Sequence, residues 1–249
     1  MSQRTRIEWT EQTWNPVTGC TKLSDGCKHC YAEAMARRLQ AMGAPGYGRG
    51  FAVSLHEGRL EQPLRRAQPT TYFVCSMADL FHEDVPDAFV DRVLATVRRT
   101  PRHTYQVLTK RAERLPRFFE ARPVPPNVWL GVTVENRRHG LARVDLLRRV
   151  PARVRFLSVE PLLEDLGPLD LTGIDWVIVG GESGPKARPM KEAWALALRD
   201  RCLAAGVAFW FKQWGAWGPD GVRRDKTANG KRLAGRTWDG RPDGGGPLL

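Results

Sequence analysis

The sequence predicts an α/β protein, a complete or partial parallel (β/α) barrel, and three observations carry that expectation. From residue 51 onward, short apolar runs rich in β-branched and aromatic residues alternate with amphipathic charged segments, the pattern of parallel βαβ units. Runs such as Trp176–Val179 (WVIV) are apolar on both faces, as strands covered by helices on each side must be. Seven such strands with few spare residues fit a barrel in a chain of 249 residues. The alternative is an open doubly wound sheet. No GxGxxG follows the first strand, which weakens its dinucleotide-binding version.

Residues 1–50 read as irregular apart from one helix, Tyr31–Met42 (YAEAMARRLQAM), which Gly43 and Pro45 terminate. The predicted strands are Phe51–Leu55, Thr71–Cys75, Thr104–Leu108, Val128–Val134, Val154–Val159, Trp176–Val179 and Val207–Phe211. The predicted helices between them are Arg59–Ala67, Asp87–Arg99, Ala112–Glu120, Arg137–Val150 and Lys191–Ala205, with Pro86, Pro101, Pro151 and Pro161 marking boundaries. The expected organisation is one domain in three stretches. Residues 1–50 form a cysteine-bearing segment, 51–214 the barrel body, and 215–249 a Gly- and Arg-rich extension read as a basic lid or a loosely ordered tail.

Thirty-nine Lys and Arg against 27 Asp and Glu give a net charge of +12, which points to a polyanionic partner, nucleic acid first. The bias toward Arg, Ala, Gly and Pro is also what a GC-rich genome produces. No run reaches the ~18 apolar residues of a membrane helix, and residues 1–13 lack the apolar core of a signal peptide. A cytoplasmic, soluble protein is therefore the expectation.

Of five cysteines, three fall within eleven residues: Cys20-Thr-Lys-Leu-Ser-Asp-Gly-Cys27-Lys-His-Cys30, with Cys75 and Cys202 apart. Such grouping speaks for a metal or redox site rather than a disulfide framework. Three thiolates can hold three irons of a [4Fe–4S] cluster and leave the fourth open. Gly19 and Gly26 allow a tight wrap, and Lys22 and Lys28 offset negative charge. Zinc is the alternative, with His29 as a fourth ligand strained by its adjacency to Cys30.

Barrel enzymes place their sites at the C-terminal ends of the strands. Polar groups follow six predicted strands here: Ser76, Met77 and Asp79; Thr109, Lys110 and Arg111; Thr133, Glu135 and Asn136; Ser158 and Glu160; Gly180, Gly181, Glu182 and Ser183; Lys212, Gln213 and Trp214. Taken singly, such residues are ordinary helix caps and turn formers. Taken together they form a candidate site, in which Glu135, Glu160, Glu182 and Lys212 need partners if buried.

A three-cysteine loop ahead of a βα repeat resembles the radical S-adenosylmethionine superfamily. The spacing here is C-x6-C-x2-C where that superfamily has C-x3-C-x2-C, and His29 stands where an aromatic is usual, with Tyr31 following. A closer resemblance, to a family of phage-associated and bacterial three-cysteine proteins with spore photoproduct lyase-like members, covers nearly the whole chain. It rests on Ile7-Glu-Trp-Thr…Thr13-Trp-Asn-Pro-Val-Thr-Gly-Cys20, Gly131-Val-Thr-Val-Glu-Asn136, Leu157-Ser-Val-Glu-Pro161, Gly180-Gly-Glu-Ser-Gly184 and Phe211-Lys-Gln-Trp-Gly215. The resemblance implies a radical-SAM-like barrel with a [4Fe–4S] cluster on Cys20, Cys27 and Cys30. It also implies S-adenosylmethionine as cofactor, a flavodoxin- or ferredoxin-type electron donor, and DNA as substrate. The implied chemistry is repair of a thymine photoproduct or hypermodification of a base; a zinc-stabilised binding protein without catalysis is the different-class alternative. Ser76, Lys110, Glu135, Asn136, Glu160, Gly180, Gly181, Glu182 and Lys212 supply group types that S-adenosylmethionine needs, and Cys75 and Tyr105 are candidate hydrogen donors. Trp9, Trp14, Trp129, Trp210, Trp214 and Trp217 are candidates for stacking on bases. Trp129, Trp176 and Trp210 read as core, while Trp214 and Trp217 are expected at the mouth of the site.

Overall fold

A computed structural model describes residue 5 and residues 7–242. Its main sheet has seven parallel strands: β1 (Gln12–Trp14), β4 (Thr71–Val74), β5 (Thr104–Thr109), β6 (Val128–Thr133), β7 (Val154–Val159), β8 (Trp176–Gly180) and β9 (Ala208–Gln213), neighbours in that order. A separate antiparallel pair joins β2 (Val17–Thr18) to β3 (Ser54–Leu55). Sequential parallel order is the order of a (β/α) barrel wall. β1 and β9 are its edges, so among the described residues the barrel is the partial one. Among the described residues six α-helices accompany the strands: α1 (Tyr31–Ala41), α2 (Asp87–Arg99), α3 (Arg114–Phe119), α4 (Arg137–Arg148), α5 (Glu192–Ala204) and the short α6 (Lys226–Asn229).

The chain divides into two compact units. The first comprises Met1–Leu23, Cys30–Gly131 and Arg149–Arg153. Here β1 pairs with β4 (Thr13 opposite Phe73) and β4 with β5 (Phe73 opposite Gln106). α2 buries Phe89, Val90, Val93, Leu94 and Val97, the spacing of one helical face, as its periodicity predicts. The second unit comprises Ser24–His29, Val132–Arg148 and Val154–Leu249. Its β8 is buried along its whole length, from Trp176 to Gly180, as expected of a strand apolar on both faces.

Three expectations are corrected. The seventh strand is not Phe51–Leu55, of which only Ser54 and Leu55 pair, in the separate antiparallel sheet. It is β1, in the stretch read as irregular. Three residues are too few to show a period of two, and β1 is fixed by its partner β4. Arg59–Ala67 is not one helix. Two 3₁₀ turns, Glu57–Arg59 and Gln62–Arg65, replace it, because Pro63 lacks the N–H a continuing helix needs. Trp214 is not at a mouth. It is 1% exposed, with Nε1 donating to Arg232 O at 2.8 Å.

The extension from residue 215 packs on β9 as far as it is described. Phe211 N donates to Trp238 O at 2.9 Å and Gly240 N to Phe209 O at 3.0 Å, and Trp210 bridges Asp239 antiparallel. Trp176 Nε1 donates to Gly240 O at 2.7 Å, and Leu233 is fully buried. These residues cover what would otherwise be a bare sheet edge. Residues 243–249 of the predicted extension lie outside the described residues.

Candidate metal centre

The three cysteines are half-buried and free of disulfides. Each is held differently. Cys20 follows β2 and Gly19. Gly19 has φ +84°, and a Cβ there would stand 2.2 Å from Ala52 O, so only glycine fits this entry to the segment. Cys27 closes a 3₁₀ turn, Asp25–Cys27, its N–H donating to Ser24 O at 2.9 Å. Cys30 precedes α1 and packs on Ala32, Ala36, Tyr47 and Met77.

In the first unit, the ends of β4 and β5 hold the Cys20 side of the segment. Asp79 is buried and saturated: Oδ1 accepts from Thr109 Oγ1 at 2.7 Å and from Phe81 N–H at 3.0 Å, and Oδ2 accepts from Lys110 N–H at 3.0 Å and Arg111 at 3.4 Å. Arg111 in turn donates to Cys20 Sγ at 3.4 Å and to Thr21 Oγ1 at 2.8 Å. Lys110 thus takes part through its backbone. Ser76 Oγ donates to Asn15 Oδ1 at 3.1 Å, and Ser76 O accepts from the Tyr31 hydroxyl, which ties α1 to the end of β4.

Cys75 and Tyr105, the candidate hydrogen donors, are both buried. Desolvation pushes the Cys75 thiol well above its ordinary range. Tyr105 is the second residue of β5, near the end opposite the strand-end groups. Its hydroxyl lies 2.6 Å from Thr100 Oγ1. Thr100 donates its own proton to Thr96 O at 2.8 Å, so Tyr105 is the donor of the shared bond. Burial, only partly offset by that bond, raises its pKa to about 12.

In the second unit, the ends of β6 and β8 hold the Cys27 turn. Asn136 Nδ2 donates to Asp25 Oδ2 at 2.9 Å, while Asn136 Oδ1 accepts from His139 N–H and caps α4. Arg188 donates to Asp25 O at 2.9 Å and grips both oxygens of Glu182, at 2.6 and 2.9 Å. Burial raises the Glu182 pKa, but the Arg188 bonds more than offset it and the net shift is downward. Glu135 is fully buried, paired to Arg143 at 2.7 Å, and lies under Gly26, whose Cβ would stand 3.2 Å from the Glu135 side chain. A second group forms nearby in the sheet order: Lys212 Nζ donates to both Glu160 oxygens at 2.7 and 2.8 Å, and Gly180 leaves room for that carboxylate. Gly181 lies against the Trp214 backbone, where a Cβ would stand 1.9 Å from the carbonyl oxygen.

Glu135, Asn136 and Glu182 are therefore gathered about the Asp25–Gly26 turn, and Glu160, Gly180 and Lys212 form their own group. Sequence reading passed over Arg188, Arg143 and Asp25. Nothing in the local pattern distinguishes these from solvated charges; a Gly-bounded polar stretch after β8 was the available signal for Arg188. The stacking expectation is largely overturned: Trp9, Trp14, Trp129, Trp210 and Trp214 are buried, and Trp217 is half-buried with Nε1 bonded to Ala187 O at 2.7 Å. Large indoles are placed by core packing wherever the sheet can cover them.

Three thiolates are a soft donor set suited to an iron–sulfur cluster or zinc. Among the described residues, no three Cys, His, Asp or Glu side chains are grouped as ligands of a single ion. Three cysteine thiols on one short segment are the donor chemistry a [4Fe–4S] cluster would use. Gly19 and Gly26 instead serve packing of the segment, against the Ala52 backbone and the Glu135 side chain.

A family model described as "Protein of unknown function (DUF5131)" matches residues 4–242. The chain belongs to this family. No curated protein sequence matches it. Among solved structures, a single-residue variant of spore photoproduct lyase is 13% identical with a TM-score of 0.48, covering 72% of this chain and 58% of that one. Spore photoproduct lyase complexed with dinucleoside spore photoproduct is 12% identical with a TM-score of 0.42, covering 81% and 63%. A double variant with bound AdoMet and dinucleoside spore photoproduct is 13% identical with a TM-score of 0.41, covering 72% and 58%. The chain spans less than two thirds of the length of these enzymes. No helix among the described residues of the DUF5131 chain is long and apolar enough to cross a membrane.

Proposed function

We propose that this DUF5131 protein is a radical enzyme that holds a [4Fe–4S] cluster on Cys20, Cys27 and Cys30 and acts with S-adenosylmethionine on DNA, repairing a thymine photoproduct. The observation that carries the reading is the anchoring of the cysteine segment on strand-end side chains: Arg111 on Cys20 and Thr21, Asn136 and Arg188 on Asp25. A segment seated at the C-terminal ends of parallel strands lies where barrel enzymes carry out their chemistry.

When bound, the cluster supplies one electron for cleavage of S-adenosylmethionine, and so hydrogen-atom abstraction from the substrate. The chain's own residues bind and orient. The Glu160–Lys212 pair is of the types that complement an amino acid moiety or ribose hydroxyls, and because both Glu160 oxygens accept from Lys212, a ligand would bind there by exchanging with that bond. Gly180 and Gly181 let the backbone approach closely. Asn136 and Glu182 hold the segment rather than offering free groups, because their polar atoms are engaged with Asp25 and Arg188. DNA as substrate is supported by the +12 charge and by the family resemblance read from the sequence motifs.

The test is anaerobic purification, reconstitution with iron and sulfide, and metal and sulfide counts. About four irons and four sulfides per chain, absorption at about 400 nm, and loss of both in Cys27→Ala are expected. UV-irradiated DNA with S-adenosylmethionine and a reductant should then lose photoproduct. One tightly held zinc and no cluster would overturn the reading in favour of a zinc-stabilised binding protein. A loaded cluster with no action on irradiated DNA, but modification of undamaged bases, would redirect it to base hypermodification.

A further inference from the structure

The Arg111 guanidinium is 8% exposed and every one of its five N–H donors has an acceptor. Nε donates to Glu83 Oε2 at 2.7 Å. One terminal nitrogen donates to Cys20 Sγ and Asp79 Oδ2, both at 3.4 Å, and the other to Thr21 O at 3.2 Å and Thr21 Oγ1 at 2.8 Å. Charge compensation alone needs only Asp79 and Glu83. The remaining three donors all go to the Cys20–Thr21 corner. That corner is held from a further side: His82 Nδ1 accepts from Asp84 N–H at 3.0 Å, so the neutral ring carries its proton on Nε2 and donates to Thr21 Oγ1 at 2.9 Å. The base of the arrangement is equally fixed, since Arg111 N–H donates to Thr109 Oγ1 at 2.9 Å and Thr109 to Asp79.

We infer that Arg111 is a positioning residue that donates a charge-assisted hydrogen bond to the Cys20 sulfur and raises the reduction potential of the cluster this cysteine ligates. The inference rests on the cluster proposed above. A thiolate is a far better acceptor than a thiol. Adding one electron makes the cluster and its sulfurs more negative, so a buried cation bonded to one of those sulfurs stabilises the reduced form more than the oxidised one. Lysine cannot replace it, because an ammonium cannot serve Glu83, Cys20 and Thr21 in one plane.

The experiment is a redox titration of reconstituted protein, followed by visible absorption and electron paramagnetic resonance, with iron and sulfide counted in each sample. Arg111→Gln is expected to keep its iron and to shift the one-electron equilibrium at least about tenfold toward the oxidised form, a fall of about 59 mV. Arg111→Lys is expected to lie between the two. Glu83→Gln removes a negative charge from Arg111 without touching Cys20 and is expected to shift the potential upward, a reversal of sign that a merely structural role does not produce. A potential unchanged or raised in Arg111→Gln overturns the inference. If Arg111→Gln does not fold, Glu83→Gln decides: a potential that falls or stays fixed overturns it. A wild type that loads no cluster overturns the proposed function and this inference together, whereas a loaded cluster indifferent to Arg111 overturns this one alone.

Discussion

Asn136 Nδ2 donates to Asp25 Oδ2 at 2.9 Å across 111 residues of sequence. The same side chain caps α4 through Oδ1, so one amide both starts a helix and seats the cysteine turn. The two roles can be separated. Asn136→Ala loses both and is expected to cost ~1 kcal/mol of cap stability. Asn136→Asp keeps an acceptor for the helix but sets a carboxylate against Asp25. It should retain the urea midpoint while residues 24–29 become faster in hydrogen exchange.

Glu135 and Arg143 are a buried ion pair, Glu135 unexposed and Arg143 4% exposed. Arg143→Met leaves the carboxylate without its cation and is expected to destabilise the protein by roughly 3–5 kcal/mol in urea unfolding. Pairing it with Glu135→Leu should recover most of that loss. Equal instability of the single and double variants would contradict the pairing.

Gly181 touches the Trp214 carbonyl so closely that Gly181→Ala requires a backbone shift. Failure to accumulate as folded protein is the expected outcome. Gly48, with nothing within 4 Å of its would-be Cβ, is the control, and Gly48→Ala should change stability by less than about 0.5 kcal/mol. Thermal unfolding of the two variants side by side checks both.

The Arg111 hydrogen bond holds the Glu83 carboxyl at about 2, below its ordinary 4.5. A depressed native value means stability that is present above the unfolded pKa and lost as pH falls toward the native one. Wild type and Glu83→Gln should therefore differ in urea midpoint at neutral pH and converge between pH 4.5 and about 2. Glu83 is 64% exposed, so the difference is that of a screened pair. A gap that widens in acid would refute the assignment.

Legibility followed the range of the determinant. α2 matches its predicted span because its apolar spacing is local, and β8 because a continuous apolar run needs cover on both faces. β1 escaped because three residues carry no period, and Arg59–Ala67 failed because helical composition outweighed Pro63 in the reading but not in the backbone. At the site, the three cysteines announced themselves by rarity and spacing. Arg111 was noted only as one polar group after a strand, and Arg188 not at all, since an arginine's partner is invisible until the chain folds.

The sequence by itself determined the α/β class, the spans of most apolar strands, the charge and the thiol donor set, because each depends on residue type and short-range spacing. Only the tertiary structure decided which strand completes the seven, that the described tail covers β9, that six of the nine indoles are buried, and that Arg111, Asn136 and Arg188 grip the cysteine segment. Those outcomes depend on pairings between residues up to 163 positions apart. Their free energies arise from desolvation and hydrogen-bond geometry that no local pattern encodes.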